Sequence, residues 1–73
     1  GSTTVTATTD ANGNISLGIS ASSYVVVSIK VSSLIATPWV SGSDNNWHAR
    51  IIGVNGSAIT SGSVTVTVYY QAL

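Results

Sequence analysis

The sequence predicts an all-β fold, a small antiparallel β-sandwich or partly open barrel of about six strands. Apolar and polar residues alternate with a period of two along most of the chain, as they do in half-buried strands. No window repeats apolar residues at the spacing of a helix. Clusters of Gly, Asn and Ser separate the alternating stretches at regular intervals, which favours short strands joined by turns.

The first half of the chain predicts three strands. Residues 3–9 alternate weakly, and residues 14–19 place Ile15, Leu17 and Ile19 on one face. Between them Asn12-Gly13 predicts a β-hairpin, because both residues tolerate the positive φ of a type I′ turn. Residues 24–33 are predicted as a central strand with two faces, one formed by Val25, Val27, Ile29 and Val31, the other by Tyr24, Val26, Ser28 and Lys30.

The second half predicts three more strands. Residues 34–41 contain Pro38, which cannot donate to a ladder, so this strand is expected at an edge or at a bulge. After a polar turn at 41–46, residues 47–54 alternate again, and Asn55-Gly56 opens a loop. The faces of this strand are predicted as Trp47, Ala49 and Ile51 opposite His48, Arg50 and Ile52. In the last strand, 63–73, the valines point one way and the threonines the other.

Length and composition predict one small domain that associates with copies of itself. Residues 3–73 form the predicted β domain, and Gly1 and Ser2 are interpreted as the remnant of an expression tag and left out of the fold. The chain has no Met and ends on the apolar segment "YYQAL", so it is interpreted as the C-terminal tip of a longer protein. It has no Cys and one His, which excludes disulfides and an intrachain zinc site as sources of stability. Oligomerisation is the remaining way to stabilise so small a core.

The apolar residues also favour a homo-oligomer. Val26, Ile35, Ile52, Tyr69 and Leu73 fall on faces opposite the main apolar sets, and a monomer would expose them. Contact between identical subunits would cover this surface. The residues predicted to form the oligomer interface are Val64, Val66, Val68, Tyr70 and Ile52.

Charge excludes several classes of partner. Two basic and two acidic residues give a net charge of zero, so electrostatic attraction to nucleic acid is not expected. No apolar run reaches the roughly 18 residues of a membrane span, and no membrane insertion is expected.

No enzyme, cofactor or metal site is predicted. Asp10 and Asp44 lie in predicted turns, where their side chains bond the backbone, and no G-x-S-x-G motif is present. His48 has no orienting carboxylate evident in the sequence. Three copies of His48 around a trimer axis could hold a metal, but Arg50, two residues on, would repel a cation. Arg50 is instead expected to bond carbonyls or Asp44, of its own or a neighbouring chain.

The aromatic residues and the polar turn predict a ligand-binding loop. Aromatic rings pack against sugar faces, and the turn beside them offers directional hydrogen bonds. The predicted binding residues are Ser43, Asp44, Asn45, Asn46, Trp47 and Trp39. The alternative for the two tryptophans is structural: they flank one hairpin, pair across it and fill core or interface volume.

Five segments of the chain carry a resemblance to known proteins. They are "GNISLGI", "YVVVSIKV", "ATPWV", "NNWHARIIGVNGSAI" and "SVTVTVYYQ", from about Asn14 to Gln71. Together they resemble the C-terminal tip domains of bacteriophage and prophage tail-fibre proteins, including the caps of prophage collagen-like chains. The resemblance implies a homotrimeric knob at the virion tail-fibre tip, which trimerises and caps the fibre and meets a host cell-surface saccharide. The alternative is a monomeric carbohydrate-binding module.

Overall fold

The structure of this protein, a computed structural model that describes residues 1–73, confirms the predicted all-β class. Two antiparallel three-stranded sheets, in the orders β1-β6-β3 and β2-β5-β4, pack together as a sandwich. No helix long and apolar enough to cross a membrane is present. The strands are β1 (Ser2–Thr8), β2 (Asn14–Ser20), β3 (Tyr24–Lys30), β4 (Ile35–Val40), β5 (Asn46–Ile52) and β6 (Ser63–Ala72).

Only β4 and β5 form a hairpin between consecutive strands, and every other connection passes from one sheet to the other. The predicted hairpin at Asn12-Gly13 is therefore wrong. The turn itself forms, with Gly13 at a φ of 83°, but β1 pairs with β6 and β2 pairs with β5. A tight turn fixes only the local path of the chain and does not decide which strands pair. The strand that pairs with β1 is the valine-rich β6.

The core lies between the sheets and is formed within one chain. Val64, Val66 and Val68 on β6 are 6%, 1% and 0% exposed. They face the apolar side chains of the other sheet, which are Ile15, Leu17, Ile19, Ala49 and Ile51. Because a single subunit already covers the three valines, they cannot line an interface between copies, and that part of the predicted interface is wrong.

The two other predicted interface residues keep part of their surface. Tyr70 is half-buried and meets Tyr24 edge to face, with ring centroids 5.3 Å apart, so it belongs mainly to the subunit's own packing. Ile52 is half-buried on the outer face of its sheet, opposite the exposed Ile35. Because both side chains are only half-buried in one subunit, they do not decide between a monomer and an oligomer, and the oligomeric state stays a prediction.

The prediction that β3 is a central strand is wrong, because β6 takes the centre of the sheet and β3 lies at its edge. A bulge in β3 also reverses the face predicted for its first half. The register with β6 shifts between Val26 and Ser28, so Val27 is the extra residue. Val26 is consequently buried, while Val27 is 60% exposed. Val26 was expected among the surplus apolar residues, and this expectation is wrong because the bulge turns it toward the core.

Two further predictions concern the proline in β4 and the first two residues of the chain. Pro38 lies in β4, an edge strand, as predicted. Ser2 belongs to β1 and pairs with Tyr69, and the Gly1 ammonium donates to the Tyr70 carbonyl at 2.7 Å. Both residues therefore take part in the β1 ladder, and their origin as a tag remnant stays a prediction.

Candidate functional site

The outer face of the β2-β5-β4 sheet gathers most of the chain's chemically distinctive side chains. Alternation along β4 and β5 turns Trp39, His48 and Arg50 away from the core. The register places Trp39 opposite His48, and Arg50 opposite Asn14 on the far strand. We name this surface the Trp39 face and define it by Asn14, Trp39, Asp44, His48 and Arg50.

Trp39 is held in one orientation by two neighbours. Its indole stacks on the His48 ring, with centroids 4.8 Å apart and an angle of 26° between the planes. Its Nε1–H donates to Asn14 Oδ1 at 3.2 Å. Since Asn14 lies on β2, this bond shows that the indole reaches across the central strand β5. Trp39 is nevertheless 38% exposed, so part of the fixed ring is accessible.

Asp44 bonds the His48 ring through its carboxylate. One carboxylate oxygen, Oδ2, lies 2.8 Å from His48 Nε2, and the other accepts the Asn46 backbone N–H at 2.9 Å. These hydrogen bonds, that from Asn46 first and that with His48 second, lower the pKa of Asp44 below its ordinary 3.8. Asp44, His48 and Trp39 thus form a continuous chain of contacts.

Asn14 is positioned by the turn that precedes β2. Asp10 Oδ1 accepts the backbone N–H groups of Asn12 at 2.8 Å and of Asn14 at 2.9 Å. The same bonds, with that from Asn14 the largest contribution, lower the pKa of Asp10. The turn also docks on β5, because the Ile51 N–H donates to the Gly13 carbonyl at 2.8 Å.

Arg50 extends the face with a cation that has no acidic partner. The expected bond between Arg50 and Asp44 is absent within one chain, because Asp44 pairs with His48 instead. Arg50 is exposed and lies between Thr37 and Asn14 in the sheet register. Its guanidinium is therefore available to a ligand. The chain contains no cluster of three or more metal-ligating side chains.

The structure separates the predicted binding residues into those that reach this face and those engaged elsewhere. Ser43 Oγ lies 2.9 Å from Ser41 Oγ, and Asn45 Nδ2 donates to Ser22 Oγ at 2.6 Å. Asn45 also adopts a φ of 54° in the turn. These side chains hold the β4-β5 turn in shape. Asn46 is the first residue of β5 and lies opposite Ser20. It contributes to the Trp39 face only through its backbone N–H, which donates to Asp44 Oδ1.

The two tryptophans lie on opposite sides of their sheet. Trp47 is half-buried against the core, and its Nε1–H donates to the Tyr24 carbonyl at 3.0 Å. In the hairpin register Trp47 lies opposite Val40, whereas Trp39 lies opposite His48. The tryptophans flank the hairpin, as expected, but do not pair with each other. Trp47 therefore has the structural role that the sequence offered as the alternative.

Sequence reasoning assigned Trp39 and Asp44 to a binding site but did not include Asn14, His48 or Arg50. His48 was considered for a metal, and Asn14 was treated only as the start of a strand. The available signal was the alternation in β5, which correctly placed His48 and Arg50 together. The contribution of Asn14 depends on the strand order β2-β5-β4, which alternation does not reveal.

Comparison with protein-family models, with curated proteins and with solved structures found no match.

Proposed function

We propose that this chain is an attachment domain that binds a cell-surface saccharide through the Trp39 face, at the tip of a phage or prophage fibre protein. The observation that supports the proposal most strongly is the partly exposed indole of Trp39, held by His48 and Asn14 beside the unpaired Arg50. The fibre context is proposed on the resemblance of the sequence.

The chemistry of this face suits a saccharide. A sugar ring offers apolar C–H groups, which pack against an indole, and hydroxyl groups, which need directional hydrogen bonds. Asp44 supplies carboxylate acceptors, and Arg50 supplies a planar set of donors. Because the indole and the His48 ring are already fixed, binding loses little side-chain entropy. The low overall charge favours recognition by stacking and hydrogen bonds rather than by ion pairing.

Trimerisation and fibre capping stay a prediction from the resemblance. Since the β6 valines lie inside one subunit, a trimer interface would have to use other apolar side chains. The exposed candidates include Tyr24, Val25 and Val27 on β3, and the predicted surplus residues Ile35, Tyr69 and Leu73. A mass measurement separates this trimer from the monomeric carbohydrate-binding module and from the dimer that the edge of β1 favours, which is the rival assembly argued below.

The test is a glycan array probed with the intact chain, followed by titration of the best-bound glycan. Trp39→Ala is expected to abolish binding while leaving the fold intact. Tyr69→Ala is the matched control, because Tyr69 is 42% exposed against 38% for Trp39 but lies on the other sheet. Binding that survives Trp39→Ala, or that is lost equally in both variants, would refute the assignment to this face.

A further inference from the structure

The sandwich has four edge strands, and three of them are interrupted. Open sheet edges pair readily with other strands, and natural proteins protect them with bulges, prolines or charges. The β2 register shifts between Ser16 and Ile19, where Gly18 has a φ of 67°. The β3 register shifts at Val27, and β4 contains Pro38. Strand β1 pairs with β6 without a shift and contains neither proline nor a charged side chain.

The direction of the free backbone groups on β1 follows from its pairing. Gly1 and Tyr70 exchange both backbone hydrogen bonds, at 2.7 and 2.9 Å. Hydrogen-bonded and non-hydrogen-bonded pairs alternate along an antiparallel ladder. The odd-numbered residues of β1 therefore bond to β6. The N–H and C=O groups that point to the open edge belong to the even-numbered residues, Ser2, Thr4, Thr6 and Thr8.

We propose that this edge pairs antiparallel with β1 of a second copy of the chain. The free groups require an extended strand, and β1 is itself the one uninterrupted edge that a copy can offer. A two-fold axis beside Val5 would set Thr4 opposite Thr6 of the second copy and Ser2 opposite Thr8 of the second copy. This register places every outward-pointing residue of β1 in a hydrogen-bonded pair, and the interface is the same patch on both copies.

The paired copies form one continuous sheet in the order β3-β6-β1-β1-β6-β3. Its outer surface continues the hydroxyl-rich face on which Thr6 Oγ1 lies 3.0 Å from Thr65 Oγ1. The Trp39 face belongs to the other sheet and remains uncovered in both copies. Two such faces on one particle would bind a repetitive saccharide surface more tightly than one. The pairing itself does not depend on saccharide binding.

The test is the mass of the intact chain in solution, measured by light scattering behind a sizing column at about 100 μM. The wild type is expected at about twice its 7.4 kDa. Thr4→Lys with Thr6→Lys is expected to give a folded monomer, because the register sets these positions opposite each other and brings four ammonium groups together. Circular dichroism checks that this variant retains its strands.

Ser63→Lys with Thr65→Lys is the matched control. It adds the same charge to the same outer face, but on the central strand β6, and it is expected to remain a dimer. Thr6→Pro is a second probe, since it removes an N–H that makes no bond within the subunit. A wild-type monomer or trimer would overturn the proposal, as would a Thr4→Lys, Thr6→Lys dimer.

Discussion

Replacing Gly13 by Ala tests how the turn before β2 is built. Gly13 is buried with a φ of 83°, and an added Cβ would lie 3.0 Å from the Ile51 carbonyl oxygen and 3.1 Å from Ala58 Cβ. The variant is therefore destabilised in two ways. A residue with a side chain must adopt a left-handed backbone conformation, and the β5 backbone must move away from the added Cβ. Gly56 has a φ of 86° and open space around its Cβ position, so Gly56→Ala is destabilised only in the first way.

These two effects set the expected magnitudes. A left-handed conformation costs an L-residue about 1–2 kcal/mol. Overpacking a tight site adds about 1–3 kcal/mol. Gly56→Ala is thus expected to lower the free energy of unfolding by about 1–2 kcal/mol, and Gly13→Ala by roughly 2–5 kcal/mol.

Urea unfolding followed by circular dichroism measures both losses. A domain this small has a total stability of only about 3–5 kcal/mol, so Gly13→Ala is expected to be partly or fully unfolded at 25 °C. Equal losses in the two variants would refute the contact with β5 and, with it, the docking that positions Asn14 at the Trp39 face.

Three further predictions concern the core, the β4-β5 turn and the stability of the fold at acidic pH. Val66→Asp is expected to unfold the chain, because Val66 is 1% exposed and an unpaired buried carboxylate costs several kcal/mol; Thr65→Asp, on the outer face of the same strand, should remain folded by circular dichroism. Asn45→Ala is expected to lower the melting temperature through loss of its 2.6 Å bond to Ser22, and an unchanged value would contradict that role. The lowered pKa of Asp44 implies a stabilisation that is complete above pH 3.8 and is lost as the pH falls through the folded-state pKa, so Asp44→Asn should flatten the urea-measured stability profile below about pH 4.

Local sequence patterns were sufficient to predict where most strands lie, but not which strands pair with each other. Alternation identified the inner faces of β2, β5 and β6, because side chains in a regular strand point to opposite sides in turn. It was wrong for β3, where the extra residue Val27 shifts the pattern and no Gly or Pro marks the bulge. The turn at Asn12-Gly13 was predicted correctly as a turn, but its neighbours pair with distant strands.

In the candidate site, too, the residues set by local sequence were predicted, whereas those brought in by strand pairing were not. Asp44 was predicted because turn chemistry is local, and Trp39 because an aromatic residue beside a polar turn is an evident binding feature. The stack with His48 needed the hairpin register, and the bond to Asn14 needed the order of all three strands of the sheet. The predicted valine interface failed because these valines were assigned to the contact between copies, whereas the second sheet of the same chain covers them.

The most direct test of saccharide binding at the Trp39 face uses the chain's two tryptophan side chains as paired reporters. In an NMR titration with the best-bound glycan, the indole N–H signal of Trp39, bonded to Asn14 on the outer face, is predicted to shift. The indole N–H signal of Trp47, bonded to the Tyr24 carbonyl on the inner side, is predicted to stay in place. A glycan that binds while leaving the Trp39 signal unmoved would contradict the proposed function.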